Sequence, residues 1–457
     1  MAAPVATNEL LELRVDGLAH GGRGVARHQQ LVVFVPRALP GDRVRARVTR
    51  VKRSYAEARV VELLEPGPGR VQPRCEHFGV CGGCAWQDLD YAEQLRHKQE
   101  QVVDALRRLG GLEGYALEPI EPAAETYGYR NKVEYTWLAG QQGPALGFHR
   151  AGRWDSLLAV ERCEITSDAS NAVRRAFERW AREAALVPWD ARSGEGFLRQ
   201  LVVREGAGGQ LLAQLVTGRG RLTATGRLGE LLPEAVVGVV RSINTGVAQT
   251  TTGLDARPVL GLDRFEERIG GLSLSVTAGA FMQTNTVMAG RLYERAIAAA
   301  EPAGDEVVWD LYCGAGAIGL LAAPHVRCVY GIEVSAESVA AARQNAARNG
   351  IANVEFVEGD VARAVRPLLE RAERPRVVFV DPPRAGLTPR AVRRVIELAP
   401  DRLVYVSCNP TTLAPNARQL VDAGYRLERV WPVDMFPHTP HIECVARFTR
   451  VAVLPDG

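Results

Sequence analysis

The residues able to do chemistry gather late in the chain. Ser407-Cys408-Asn409-Pro410 closes a buried-looking strand, Leu403–Val406, and precedes a helix starting near Thr411-Thr412. A thiol there points into a ligand crevice beside a helix N-terminus, which favours the thiolate and hence nucleophilic chemistry. A lone buried cysteine is ordinarily inert. Here, however, Asp381-Pro382-Pro383-Arg384 ends the strand Arg376–Val380, and two prolines after a strand make a rigid turn that presents an acid at the same sheet edge. His438-Thr-Pro-His441-Ile-Glu443 leads into a strand-like Cys444–Phe448. Glu443 reads either as a salt-bridge partner or as a general base in that cleft. The two histidines, three apart around a proline, do not make a helical zinc motif.

Two further constellations suggest bound groups. Asp310-Leu-Tyr-Cys-Gly314-Ala-Gly316-Ala-Ile-Gly319 follows a strand, and Glu333 ends the next one. The glycines let backbone approach a nucleotide and the carboxylate can accept ribose hydroxyls, which suits a dinucleotide and S-adenosylmethionine equally. Cys75, Cys81 and Cys84, with glycines between the last two, and Cys163 far along the chain form the other set. A triplet plus one distant thiol looks more like a cubane iron–sulfur cluster than a zinc site built from two close pairs.

Positioning these residues requires a large chain. At about 150 residues per domain, 457 residues predict about three domains. Apolar residues make up 46% and charged residues 24%, which excludes wholesale disorder. No apolar run is long enough to span a membrane, and the N-terminus, with Glu9 and Glu12, lacks a signal-peptide layout. A cytoplasmic protein without a membrane partner is expected. The net charge of +3 does not announce a nucleic-acid binder. Locally, though, Arg37, Arg43, Arg45, Arg47, Arg50, Lys52 and Arg53 face only Asp42, which predicts an RNA-facing stripe.

Residues 8–65 read as short strands with glycine turns, a small β-barrel. Pro66-Gly67-Pro68-Gly69 reads as a linker, followed by a helix over Tyr91–Leu109 with Leu95, Val102, Ala105, Leu106 and Leu109 on one side. Residues 115–275 are mostly β-like with one helical stretch, Asp168–Ala185. From about residue 303, strands and helices alternate: Val307–Leu311, Val326–Ile332, a helix over Ser335–Asn349, and Val354–Val357. That alternation predicts a parallel, doubly wound sheet with ligands at the carboxyl ends of its strands.

Taken together the chain resembles the RNA (uracil-5-)-methyltransferase family, in particular its branch with a TRAM domain and a [4Fe-4S] cluster acting on 23S ribosomal RNA. The resemblance spans nearly the whole chain. It includes TRAM-like residues 8–65, the cysteine triplet, Tyr129-Arg-Asn-Lys-Val-Glu134, Phe281-Met-Gln283-Thr-Asn285, the glycine loop, Asp-Pro-Pro-Arg, Ser-Cys-Asn-Pro and His-Ile-Glu443. It implies an α/β fold: a C-terminal class I S-adenosylmethionine-dependent methyltransferase (Rossmann-like) domain over 276–457, an N-terminal TRAM/OB-like barrel over 1–68, and a mostly β central domain with the iron–sulfur segment over 69–275. It further implies that Gln283, Tyr312, Glu333 and Asp381, with Asp360, bind the cofactor. Cys408 would be the nucleophile and Glu443 the base, and Cys75, Cys81, Cys84 and Cys163 would hold the cluster. The expected partner is RNA, with 23S rRNA favoured, and no obligate protein partner is evident.

The implied chemistry suits these residues. Carbon 5 of uracil is a poor nucleophile until a thiolate adds to carbon 6, after which a base must remove the carbon-5 proton. The target base must also leave its stack to expose both ring carbons. Methylation of the tRNA T loop is the nearest alternative. Cytosine-5 methylation would use the same thiol, but Glu443 better suits the uracil family. A dehydrogenase would leave Cys408, Asp381 and Glu443 idle. A non-catalytic RNA-binding protein or chaperone predicts broken positions where these residues are intact.

Overall fold

Alternation of apolar and polar residues builds the N-terminal unit of the protein, seen in a computed structural model that describes residues 4–451. Strands β1 (Leu10–Leu18), β2 (Gly24–His28), β3 (Leu31–Val35), β4 (Arg43–Val51) and β5 (Tyr55–Glu65) close into a barrel. Every second residue points inward, among them Leu11, Leu13, Val33, Val44 and Val48, with the small Ala26, Ala46 and Ala58 filling the narrow interior. The one-signed stripe expected on β4 is not one-signed in space. Arg43 pairs with Glu12 at 3.1 Å and Glu65 at 2.7 Å, and Arg45 pairs with Glu12 at 3.1 Å and Glu62 at 2.5 Å. Closure brings β1 and β5 to either side of β4, so acids distant in sequence neutralise the run. Among the described residues, Arg37, Arg47, Arg50, Lys52 and Arg53 of the run are left without a carboxylate, while Arg43 and Arg45 are paired.

The linker is fixed rather than free: Arg70 donates to the buried Asp42 at 2.7 Å and to Asp88 at 2.6 Å. Helix α1 (Tyr91–Arg108) starts at an Asp90 cap, as its sequence requires. Its second half buries Val102, Ala105 and Leu106 as expected, but Leu109 is 55% exposed because the helix ends there. The first half buries polar residues instead, Gln94, His97, Lys98 and Gln101. A short β6 (Ala116–Leu117) follows.

The middle of the chain forms a seven-stranded sheet. In chain order its elements are β7 (Lys132–Gly140), β8 (Gly143–Arg150), β9 (Arg153–Ala159), α2 (Asp168–Glu183), β10 (Leu198–Glu205), β11 (Leu211–Thr217), α3 (Thr225–Leu231), β12 (Val236–Ile243) and β13 (Ala256–Gly261), with spatial order β13-β12-β11-β10-β7-β8-β9. A hairpin of β14 (Arg264–Ile269) and β15 (Leu272–Thr277) packs into the core of the next layer.

The C-terminal elements run α4 (Thr286–Ala300), β16 (Val307–Leu311), α5 (Ala317–Ala322), β17 (Cys328–Glu333), α6 (Ala336–Arg348), β18 (Val354–Glu358), α7 (Val361–Leu369), β19 (Val377–Val380), α8 (Pro389–Leu398), β20 (Arg402–Ser407), α9 (Pro410–Asp422), β21 (Tyr425–Val433) and β22 (Glu443–Arg450). They form an eight-stranded sheet, β18-β17-β16-β19-β20-β22-β21-β6, parallel from β18 to β20 and antiparallel at β22 and β21. Helices α4, α5 and α6 cover one face; α7, α8 and α9, joined by α1, cover the other. With both faces buried the strands read as continuous apolar runs. The strand order reverses at β16, which opens a crevice at the carboxyl ends. No described helix is long and apolar enough to cross a membrane.

Candidate active site

The loops at that carboxyl edge carry the predicted residues. After β16, Tyr312 adopts φ +65 and Gly316 φ +86. A tyrosine in the left-handed region stores strain, a feature that clusters at ligand sites. A methyl group on Gly316 would sit 2.8 Å from the Phe356 ring, so this turn needs glycine, while Gly314 opens onto free space where a ligand can approach. Glu333, ending β17, accepts the Gly314 N–H at 3.1 Å through one oxygen and the Ser335 N–H at 2.8 Å through the other. Its carboxylate is thereby fixed beside the open glycine turn with lone pairs to spare for hydroxyl groups. Asp310 is fully buried; one oxygen accepts from Gly319 N–H at 2.9 Å and the other has no partner. Burial, aided by Asp381 and Glu333, pushes its carboxyl up to about 7. Asp360 stands at the start of α7 without spending its side chain on a cap, and its charge reaches Tyr312. An unspent donor and acceptor set around an open glycine turn fits an adenosine-bearing cofactor.

Strand register brings the nucleophile and base candidates together. Ser407 of β20 lies opposite Cys444 of β22, so Cys408 and Glu443 face one another at the edge. Val380 of β19 pairs with Tyr405 of β20, which sets Asp381 on the neighbouring strand. Burial works against the thiolate expected from the helix N-terminus. Burial pushes the Cys408 thiol up to about 11, Glu443 and Asp381 push the same way, and Arg384 only partly opposes them. Glu443, buried and beside Asp381, is likewise held well above the carboxylate range, and burial alone lifts Asp381 to about 7.

Gln283 lies on the loop before α4, where its backbone carbonyl accepts from the Asn131 amide at 3.1 Å. Its side chain neighbours Tyr293, a buried α4 residue that feels Asp381 and Glu443. Tyr293 belongs to no motif. Its only signal in the sequence is a polar tip on an otherwise apolar helix face.

Cys75, Cys81, Cys84 and Cys163 are free thiols that line one cavity of about 390 Å³, together with Arg130, Glu164 and His441. Burial, reinforced by the neighbouring thiols, pushes Cys84 up to about 12 and Cys163 up to about 11. Among the described residues no three His, Cys, Asp or Glu side chains converge tightly enough to hold a single metal ion.

Known proteins share this arrangement. The tRNA (uracil-5-)-methyltransferase family matches residues 271–451, and the TRAM domain matches residues 4–61. An uncharacterized RNA methyltransferase of Chlorobaculum tepidum is 38% identical over 433 residues, covering 90% of each chain. One from Halalkalibacterium halodurans is 36% identical over 450 residues, covering 97% of this chain and 98% of that one. Among solved structures, the Pyrococcus abyssi tRNA (uracil-54, C5)-methyltransferase in complex with S-adenosyl-L-homocysteine superposes with a TM-score of 0.78 at 27% identity, covering 96% of this chain and all of the other.

Proposed function

Since the chain belongs to the RNA (uracil-5-)-methyltransferase family and carries a TRAM domain, we propose that it methylates carbon 5 of uridine in 23S rRNA through a covalent adduct on Cys408. The observation that carries the reading is the β20–β22 register, which sets a thiol opposite a buried carboxyl at the cofactor edge. As its thiolate, its proton lost beforehand to solvent, Cys408 Sγ adds to carbon 6 of the uracil ring, and the electrons of the ring double bond move toward the carbonyl, leaving carbon 5 nucleophilic. S-adenosylmethionine, when bound, supplies the electrophilic methyl group and a positive charge that offsets the clustered carboxylates. Glu443 then takes the carbon-5 proton, the double bond re-forms, and Cys408 leaves carbon 6 with its electron pair. Gln283, Tyr312, Glu333, Asp360 and Asp381 hold the cofactor. Residues 1–68 grip the RNA backbone, 69–275 guide the strand, and 276–457 carry the transfer. A tRNA uridine is the second reading, favoured by the full-length likeness to the Pyrococcus abyssi enzyme.

The test is direct. Incubated with S-adenosylmethionine and 5-fluorouridine-substituted 23S rRNA or tRNA, the protein should form a denaturation-stable complex, because fluorine cannot leave as a cation. Mapping 5-methyluridine in unmodified RNA of both kinds identifies the target. No adduct on either RNA sinks the mechanism, and an adduct on tRNA alone moves the substrate.

Cys75, Cys81, Cys84 and Cys163 would hold a [4Fe-4S] cluster. What supports this is a donor set of four thiols lining one cavity, since a cubane cluster takes one thiolate per iron. Protein purified without oxygen should be brown, with about four irons per chain, and Cys163→Ala should lower iron retention. Stoichiometric zinc without sulfide overturns it.

A further inference from the structure

Glu443 enters β22 from a loop, residues 434–442, whose shape is set largely from outside. His438 sits in that loop at φ +64, a conformation non-glycine residues hold only when neighbours impose it. The chief neighbour is Gln94 of α1, which is fully buried. Its Oε1 accepts the His438 N–H at 2.8 Å. Its Nε2 donates to the carbonyls of Trp86 at 2.9 Å and Leu89 at 2.8 Å, and stands 3.2 Å from His438 Nδ1. In return the N–H groups of Ala85 and Trp86, directly after Cys84, donate to the His438 carbonyl at 2.9 and 3.1 Å. Tyr129 donates to the Pro437 carbonyl at 2.9 Å, and the Tyr127 ring lies 4.4 Å from the imidazole. Both peptide units of His438 are thus fastened to α1 and the cysteine segment.

We propose that Gln94 is a positioning residue for Glu443: by tying residues 84–89 to the strained His438 peptide, it holds the carboxylate where it takes the carbon-5 proton. The inference rests on the mechanism proposed above and adds a step-specific role to a residue far from the reacting atoms. Cys408 stands at the β20–α9 junction, outside this loop, so the clamp acts chiefly on resolution of the adduct and much less on its formation. Loosening the cysteine segment reaches the same step through the Ala85 and Trp86 N–H groups.

The experiment compares two RNAs in the full-length protein. With 5-fluorouridine RNA, Gln94→Leu should form the trapped complex at close to the wild-type rate. With unmodified RNA, its methylated adduct should persist and turnover should fall roughly ten- to a hundredfold, the scale expected of a displaced reacting group. Placed in a Glu443→Gln background, Gln94→Leu should slow resolution by no more than about twofold further, since both act through one carboxylate. Gln94→Asn keeps the amide but not its reach, and carries the same expectation if the leucine variant does not fold. If the wild type forms no adduct, the mechanism falls and the clamp with it. If the wild type forms and resolves the adduct while the Gln94 variants slow both steps alike, or multiply the Glu443→Gln defect, the clamp alone is wrong.

Discussion

Cys408→Ala is expected to abolish methyl transfer while S-adenosylmethionine still binds. Neither thiol buried in this domain is placed to substitute: Cys444 is fully buried among the residues packed under α8 and α9, and Cys313 is buried in the glycine turn. The expected loss is about 10⁴-fold or more, as for removal of a covalent nucleophile. Glu443→Gln differs in kind, because the thiol still adds and the methyl still transfers; the methylated adduct then accumulates on ordinary RNA. The two variants also differ in pH behaviour. Burial and the neighbouring carboxylates hold the Cys408 thiol up near 11, so its reactive form is scarce at neutral pH and increases as pH rises. Alkylation of Cys408 in the cofactor-free protein should therefore climb through the alkaline range. Glu443→Gln removes a carboxyl whose ionised form disfavours the thiolate, so alkylation in the alkaline range should be faster than in the wild type. Single-turnover assays and iodoacetamide labelling measure both effects. Methylation by Cys408→Ala above background refutes the nucleophile assignment.

Lys98→Met should destabilise the protein by about 3–5 kcal/mol, the cost of leaving a buried charge without its partner. Lys98 and Asp434 are both fully buried and meet at 2.6 Å, and the ammonium also donates to the Phe436 carbonyl at 3.0 Å. Asp434 accepts in addition from the Tyr91 hydroxyl at 2.9 Å and the Phe436 N–H at 3.1 Å. Burial lowers the Lys98 pKa while Asp434 works to raise it, so the pair depends on both members. Combining Lys98→Met with Asp434→Asn should recover much of the loss, because no charge is then stranded. Urea unfolding of the single and double variants checks this. A single variant within about 1 kcal/mol of the wild type would mean the pair is dispensable.

These residues also mark where sequence reading stops. The parallel strands are legible because burial on both faces makes them apolar throughout, and the Ser335 cap and Gly350 stop of α6 are local signals. Gln94 and Lys98 look like a solvated helix face because their partners, His438 and Asp434, lie more than 300 residues on. Arg43 and Arg45 look like an unopposed basic stripe because Glu12, Glu62 and Glu65 join them only when the barrel closes. The thiol of Cys408 reads as activated by its helix, yet its titration is governed by burial and by a carboxylate on an adjacent strand. Motif spacing anticipates that these residues share one sheet edge, where the paired strands β19, β20 and β22 bring them; their electrostatics depend on neighbours supplied by the fold.

The short β6 strand bears on whether the C-terminal half can live alone. Ala116 and Leu117 pair in parallel with Arg429 and Val430, and the N–H groups of Glu118 and Glu121 reach the carbonyls of Val430 and Pro432 at 2.9 Å. This ribbon covers the outer side of β21, the last long strand of the sheet. A chain trimmed to residues 276–457 would expose a row of unpaired backbone groups, a template for aggregation through added strands. The same geometry suggests that a separately made N-terminal piece could donate this strand in trans and rescue solubility.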